Sequence, residues 1–521
     1  MLAIGVLLVS ATACSGAGGG NRGVEGPVSG GGTLRIALGQ AEADLNIFDF
    51  KTHSFNVLDQ LYEPLVRYGP NGTLQPALAE RWDVSEDGLT STFHLRGGVL
   101  FSDGTPFTAE VAKADMQRWI GNPDNSFIGI ATNTESIDTP DERTLVLRLK
   151  QPYYPALQEL SFVRPVRFPS PTAFDASGTF VKPVGTGPYK LESMSTTEIV
   201  LVRNDSYWGG RPNLDKVIFK VIPDSQARLA ALKAGEVDMI GGDYLAPLAP
   251  EEAVQLKDQS QITLLSQPAE TNLLLTFNLV SGNPALSDPQ VREAINYALP
   301  RQAYAATLFN GLARPAHQVF PPDIPYAPKA DSQPLEFNTD KASGLLSDAG
   351  YTGSGTRSKG GTRLSFRLIL DPDLLPQAKA LSEAVQADLA KVGIDIQIDT
   401  LDSTAYADAS TKRDFDLKFY PTYGPPYDPF GLLNNNFRTD QKINLYSSPE
   451  LDQRIAAALS ATSDPERAAA YDEVWTKLNE NWAVAPLVEL PRVWAIRTTV
   501  KGFVLGPTEY DLPLTGVGVT N

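Results

Sequence analysis

The chain has one cysteine, Cys14, and three histidines, His53, His94 and His317, among 521 residues. A single thiol excludes an internal disulfide and any cysteine-pair metal or redox site. Three histidines standing far apart form no HExxH helix, and no Gly-x-Ser-x-Gly elbow occurs. The 61 acidic residues always offer carboxylate pairs, but nothing in the sequence marks one pair over another, so catalysis has little support. Positive charge is in deficit: 44 Lys and Arg leave a formal net charge of -17, which argues against nucleic acid and reads as solubility. The Gly353 to Gly361 stretch has neither the strand-to-helix placement nor the Gly-Lys-Ser/Thr ending of a phosphate loop and reads as a surface loop. Long apolar runs are missing too: Leu2 to Val9 falls well short of the ~20 residues that a membrane helix needs.

What is present is a folded α/β chain of more than one lobe. Its length exceeds the ~250 to 300 residues at which single cores stop growing, and 42 Gly with 40 Pro imply many turns. Residues 1–13 read as a signal segment, in which Ala11, Thr12 and Ala13 precede Cys14. This resembles the processing box of bacterial lipoproteins, and it implies lipidation at Cys14 and a membrane anchor. Residues 14–33 are Gly-rich and nearly free of apolar side chains, as a flexible tether would be.

The stretch from Leu61 to Phe107 reads as turns and alternating strands in close succession. Pro70-Asn71-Gly72 and Ser85-Glu86-Asp87-Gly88 are turn signals, and Thr90, Thr92, His94 alternate against Ser91, Phe93, Leu95 with strand period. A helix after Thr108 is expected to bury Val111, Ala114 and Trp119, and another is expected over Tyr153 to Leu160. A βαβ unit follows: a strand at Val217 to Val221, a helix capped by Ser225 and stopped by Gly235, and a strand at Val237 to Ile240. Asp288-Pro289 opens a helix carrying Val291, Ile295 and Leu299. A second βαβ unit runs from Leu364 through a stripe of Leu381, Ala384, Val385, Leu389 and Val392 to Ile398, and Asp464-Pro465 opens a last helix with Ala468, Tyr471, Trp475 and Leu478.

The order of Leu61-Tyr62-Glu63-Pro64-Leu65, Asp103-Gly104-Thr105-Pro106-Phe107, Gly185-Thr186-Gly187-Pro188-Tyr189, Asn204-Asp205-Ser206-Tyr207-Trp208 and Ser287 to Ala298 resembles the signature of the extracellular solute-binding proteins that feed peptide and nickel ABC importers. The resemblance implies a two-lobe periplasmic-binding-protein fold of the class with an extra inserted domain, with the ligand cleft between the lobes. It implies lobe I from residues 34–81, 183–276 and 488–521, an insertion at 82–182, and lobe II at 277–487. It further implies a monomer that works with ABC permease subunits and their ATPases, no cofactor, and hinge closure around a small-molecule ligand.

Two stretches read as ligand walls. Val163 to Phe168 holds Arg164 and Arg167 in an apolar run, each open to being a ligand anchor or a structural ion pair. Tyr420 to Pro429 holds aromatics and prolines that suit either a stacking wall or core beneath a loop. These stretches are more similar to the nickel branch of the family than to the peptide branch. The resemblance implies that Arg164 anchors a chelate carboxylate and that Phe127, Tyr423 and Tyr427 line the pocket. Peptide-binding members carry an aspartate where Pro425 stands. A direct histidine ligand has no counterpart between Phe430 and Leu445, so a metal ligand is left unassigned, and Arg438 stands there as a second carboxylate anchor or a solvated side chain. His53 borders the same region and reads as solvated. The ligand expected is a metal chelate or small carboxylated metallophore. An oligopeptide is the alternative, and a secreted hydrolase is the rival from another class.

Overall fold

The computed structural model describes residues 23–24, 26, 30–40, 42, 44–49, 54–242, 247–329, 335–372, 375, 377–424, 426–427, 429–441 and 445–520. Cys14, the signal expectation, the tether expectation over residues 14–22, His53, Pro425 and Asp428 lie outside the described residues. The later part of the expected tether is packed instead: Gly23 bridges Val504, Val24 is buried in the core with its N–H donating to Phe503 O at 2.8 Å, Gly31 N donates to Asn213 O at 2.7 Å, and Thr33 already begins a strand. None of the described helices is long and apolar enough to cross a membrane.

An eleven-stranded mixed sheet runs through the molecule. From one edge its order is Asp395–Thr400, Ser365–Leu370, Leu417–Pro421, Ile262–Phe277, Val484–Arg497, Met239–Gly241, Thr33–Leu38, Lys216–Val221, Glu198–Arg203 and Tyr189–Met194, with Arg314–Pro315 pairing to Val484–Arg497 off this path. Two strands link the halves. Ile262–Phe277 and Val484–Arg497 pair antiparallel from Ile262 against Arg497 to Thr276 against Val484, with register shifts between Gln267 and Thr271 and between Leu273 and Leu274. On one side of the shifts Trp494 to Ile496 pairs with Met239–Gly241, and on the other Leu273 to Phe277 pairs with Leu417–Pro421.

Both βαβ units form. Thr33–Leu38 pairs parallel with Lys216–Val221 on one side and with Met239 on the other, and Ser365–Leu370 pairs parallel with Asp395–Thr400. The helix between Lys216–Val221 and Met239–Gly241 is Ser225–Ala234. Its cap is Asp224 rather than Ser225, because the Asp224 carboxylate accepts from Ala227 N at 2.7 Å while Ser225 is already helical. Asp288 caps Pro289–Tyr297 as its sequence indicates, accepting from Gln290 N.

Between the strands of this sheet, in sequence, lies a separate antiparallel sheet of Ala79–Val84, Thr90–Leu95, Thr144–Leu149 and Thr134–Asp141. Ser91, Phe93 and Leu95 face inward, as their alternation requires. The helix Ala109–Trp119 buries Ala109, Ala112, Asp115, Met116 and Trp119, whereas Val111 is half-buried and Ala114 is exposed. The bulk of Met116 and Trp119 sets the rotation of this helix, and a small alanine does not. The helix expected over Tyr153 to Leu160 is only Ala156–Glu159. One apolar cluster joins this sheet, through Phe93, Leu145, Phe162 and Phe168, to Phe430, Leu433, Tyr471 and Trp475. At the seam the Tyr154 and Tyr471 hydroxyls are 2.6 Å apart, Tyr154 N donates to Leu459 O at 3.1 Å, and the Arg467 guanidinium lies 3.9 Å from the Tyr154 ring.

The sequence signature also has a physical centre. Glu63 is fully buried, and its carboxylate accepts from Arg67 Nη2 at 3.1 Å, Tyr207 Oη at 2.8 Å, Trp208 Nε1 at 2.5 Å and Thr186 Oγ1 at 3.0 Å. Three separated stretches therefore meet on one carboxylate, because a buried charge is tolerated only when its acceptor capacity is filled. Gly185 packs so closely on the same helix end that a Cβ there would lie 1.9 Å from Leu61 O.

Candidate functional site

Arg164 and Arg167 leave one turn for different surroundings. Arg167 is 1% exposed and donates to Asp59 Oδ1 and Tyr62 O, each at 2.9 Å, and to Phe162 O at 3.2 Å. It is a structural ion pair. The other Asp59 oxygen accepts from Leu512 N at 3.0 Å, and Gln60 Nε2 donates to Leu512 O at 2.8 Å, so the C-terminal segment is fastened to the helix Phe55–Leu61. Burial and the nearby Asp59 charge push the Asp511 carboxyl up, against the Thr508 hydroxyl and the Arg167 and Arg67 cations.

Arg164 is buried in an aromatic frame. Its guanidinium carbon is 5.5 Å from the Phe55 ring. Phe55 meets Tyr510 edge-on at 5.2 Å, Tyr510 meets Tyr427 edge-on at 5.2 Å, and Tyr427 lies 4.0 Å from Phe162. Tyr510 Oη also donates to Tyr423 O at 3.2 Å. Burial raises the Tyr427 hydroxyl, and the Arg164 charge is the largest opposing influence, so the two groups share one electrostatic environment. Tyr423 is half-buried with its hydroxyl turned inward, 2.7 Å from Tyr420 Oη and 2.8 Å from Asn436 Oδ1.

Phe127 precedes the short helix Gly129–Asn133 and packs, half-buried, on the apolar cluster that also carries Phe162, Tyr423 and Tyr427. The start of that helix is held by Glu159, whose carboxylate accepts from Gly129 N and Ile130 N at 2.8 Å each and from Tyr153 Oη at 2.6 Å. Burial pushes Glu159 up to about 7 despite those three donors. A Cβ on Gly129 would lie 2.3 Å from the Tyr153 ring, so only glycine fits there.

Arg438 is placed differently. It forks onto Asp440 through Nε at 3.1 Å and Nη2 at 2.7 Å and reaches Asn434 Oδ1 at 3.3 Å, and its charge is felt at the Tyr153 hydroxyl. The structure thus brings Arg164, Tyr423 and Tyr427 together, and sets Arg438 with Tyr153 on the side of the wall that supports Phe127. Phe55, Tyr510 and Glu159 were not found from the sequence. Phe55 and Tyr510 come from opposite ends of the chain, and no local pattern links them. Among the described residues, no group of three His, Cys, Asp or Glu is arranged to hold a metal ion. His94 faces Asp83 at 3.3 Å on the inserted sheet.

The profile of the bacterial extracellular solute-binding proteins, family 5, matches residues 73–444. This chain belongs to that family. It is 32% identical over 471 residues to the nickel-binding periplasmic protein of Escherichia coli, covering 87% of this chain and 88% of the relative. It is 30% identical over 490 residues to the glutathione-binding protein GsiB of Salmonella paratyphi A, covering 91% of this chain and 92% of that one. Among solved structures, NikA from Brucella suis in complex with Fe(III)-EDTA superposes with a TM-score of 0.85 at 30% identity, over 94% of this chain and all of that one (100%). The family 5 chain therefore has the two-lobe periplasmic-binding-protein fold and is the extracytoplasmic solute-binding component of an ABC importer. Members of the family are solute-binding proteins rather than enzymes.

Proposed function

We propose that this family 5 receptor captures a preassembled metal chelate or small carboxylated metallophore and delivers it to its permease. The observation that carries the reading is the buried Arg164 guanidinium inside the frame of Phe55, Tyr510, Tyr427 and Phe162. A guanidinium offers a planar two-pronged donor to a carboxylate, and ring faces and edges give shape selection around the rest of a chelator. Such a site recognises the chelate by its organic shell and needs no metal ligand from the protein. Support also comes from relatives whose names carry nickel and Fe(III)-EDTA. In this reading Arg164, Tyr423, Tyr427 and Phe127 contact the ligand between lobe I and lobe II. Arg438 adds a second carboxylate contact only by exchanging Asp440 for the ligand.

Arg164→Ala is expected to weaken chelate binding by about 2 to 5 kcal/mol, roughly 30-fold or more in dissociation constant. Arg164→Lys should restore little, because a point charge does not reproduce the fork. Calorimetry with free nickel, nickel plus histidine, opine-type chelates, glutathione and short peptides tests the assignment. Normal binding by Arg164→Ala would overturn it. The glutathione-binding relative favours a second reading, a small peptide ligand, and tight peptide binding without any chelate response would replace the first reading by the second.

We also propose anchorage through a lipid on Cys14. The Cys14→Ala protein should move from the membrane to the soluble fraction, since no other attachment is available to it in this reading. Unchanged partition would refute the anchor.

A further inference from the structure

Lys418 is a cation that the solute site does not use. It stands opposite Thr276 in the strand pair of Leu417–Pro421 with Ile262–Phe277, on the sheet face away from Leu417 and Phe419, and is 4% exposed. Among the described residues its ammonium makes no ion pair and no hydrogen bond. Its neighbours are the rings of Phe415, Tyr420 and Tyr406, at 5.0, 5.7 and 6.0 Å. Ring faces at those distances offset only part of the cost of taking an ammonium out of water. The ammonium opens into a small recess that is also lined by Thr276, Asn278, Ser410 and Arg413. Ser410 Oγ is buried there, with the Tyr406 hydroxyl as its nearby polar neighbour.

Burial, reinforced by the Arg413 charge, lowers Lys418 to about 8, so at neutral pH most of the ammonium is still charged. A buried cation, a second cation beside it and a buried hydroxyl together form a host for negative charge. The occupant must be small, because the free space admits a single group of water or halide size. It must also tolerate the apolar walls of Phe415 and Leu445. We propose that this recess binds a small inorganic monoanion of chloride size, held by the Lys418 ammonium and the Ser410 hydroxyl. None of its lining residues belongs to the arginine and aromatic site, so the proposal does not depend on which solute the receptor carries.

Bromide is the direct probe. Crystals of the full chain grown or soaked with bromide should show an anomalous peak within hydrogen-bond reach of Lys418 Nζ. In solution, thermal unfolding should occur at higher temperature in chloride than in gluconate of equal ionic strength, because gluconate is too large for the recess. Lys418→Met, similar in volume and uncharged, should lose both the peak and the chloride advantage, and Ser410→Ala should raise the chloride midpoint about fivefold, the loss of one hydrogen bond. A recess holding water alone in bromide, or an undiminished chloride advantage in Lys418→Met, would overturn the proposal.

Discussion

Single residues here take their roles from what surrounds them more than from their type. Arg164 and Arg167 are three positions apart in one apolar run, yet one is closed off by Asp59 and backbone carbonyls while the other stands among rings. The sequence left both readings open for both residues, because an arginine's partner is distant in the chain. Glu159 shows the same dependence. Its carboxyl is pushed from about 4.5 to about 7 by burial, so between those values the folded chain binds a proton that the unfolded chain has released. The stabilisation is complete below pH 4.5 and is lost as pH rises through 7, a difference of about 3 kcal/mol. Glu159→Gln cannot titrate, so its melting temperature should fall less than that of the wild type between pH 5 and 7.5. Parallel pH profiles for the two proteins would show that Glu159 is ionised throughout.

At the scale of elements, the stretches with strong period were legible and their rotations and ends were not. The strands Thr90–Leu95 and Ser365–Leu370 and the helix Ala378–Ala390 follow their apolar pattern because burial of large side chains is proportional to area and dominates local preference. Ala114 and Ala468 fitted their stripes by spacing but are exposed, since a methyl group buries too little to decide which way a helix turns. The cap at Asp224 and the shortened helix Ala156–Glu159 differ from their sequence readings by a residue or a turn. The seam between Tyr154 and Tyr471 had no sequence signal, because a helix stripe marks Tyr471 as covered but not by what, and its partner stands 317 positions away.

For the whole molecule, the pair of long strands Ile262–Phe277 and Val484–Arg497 joins the two ends of the eleven-stranded sheet, and a hinge is expected near Leu275 to Leu279. A chelate that touches both lobes should shift an open to closed equilibrium, since only a ligand with different affinity for the two states can move it. Solution scattering with a saturating chelate from the calorimetry panel should therefore give a smaller radius of gyration, and an unchanged radius would argue for a rigid receptor. The sequence by itself determined the α/β class and the two βαβ units, because periodicity and turn chemistry are local and survive without knowledge of neighbours, and its motifs carried the resemblance to the family. Only the tertiary structure decided that Glu63 gathers three signature stretches, that Arg167 is structural, that Tyr510 returns from the far end of the chain to complete the ring frame, and that Lys418 is buried with no carboxylate partner among the described residues. Those are relations between residues far apart in the chain. Burial and charge pairing act through space, so no local pattern records them.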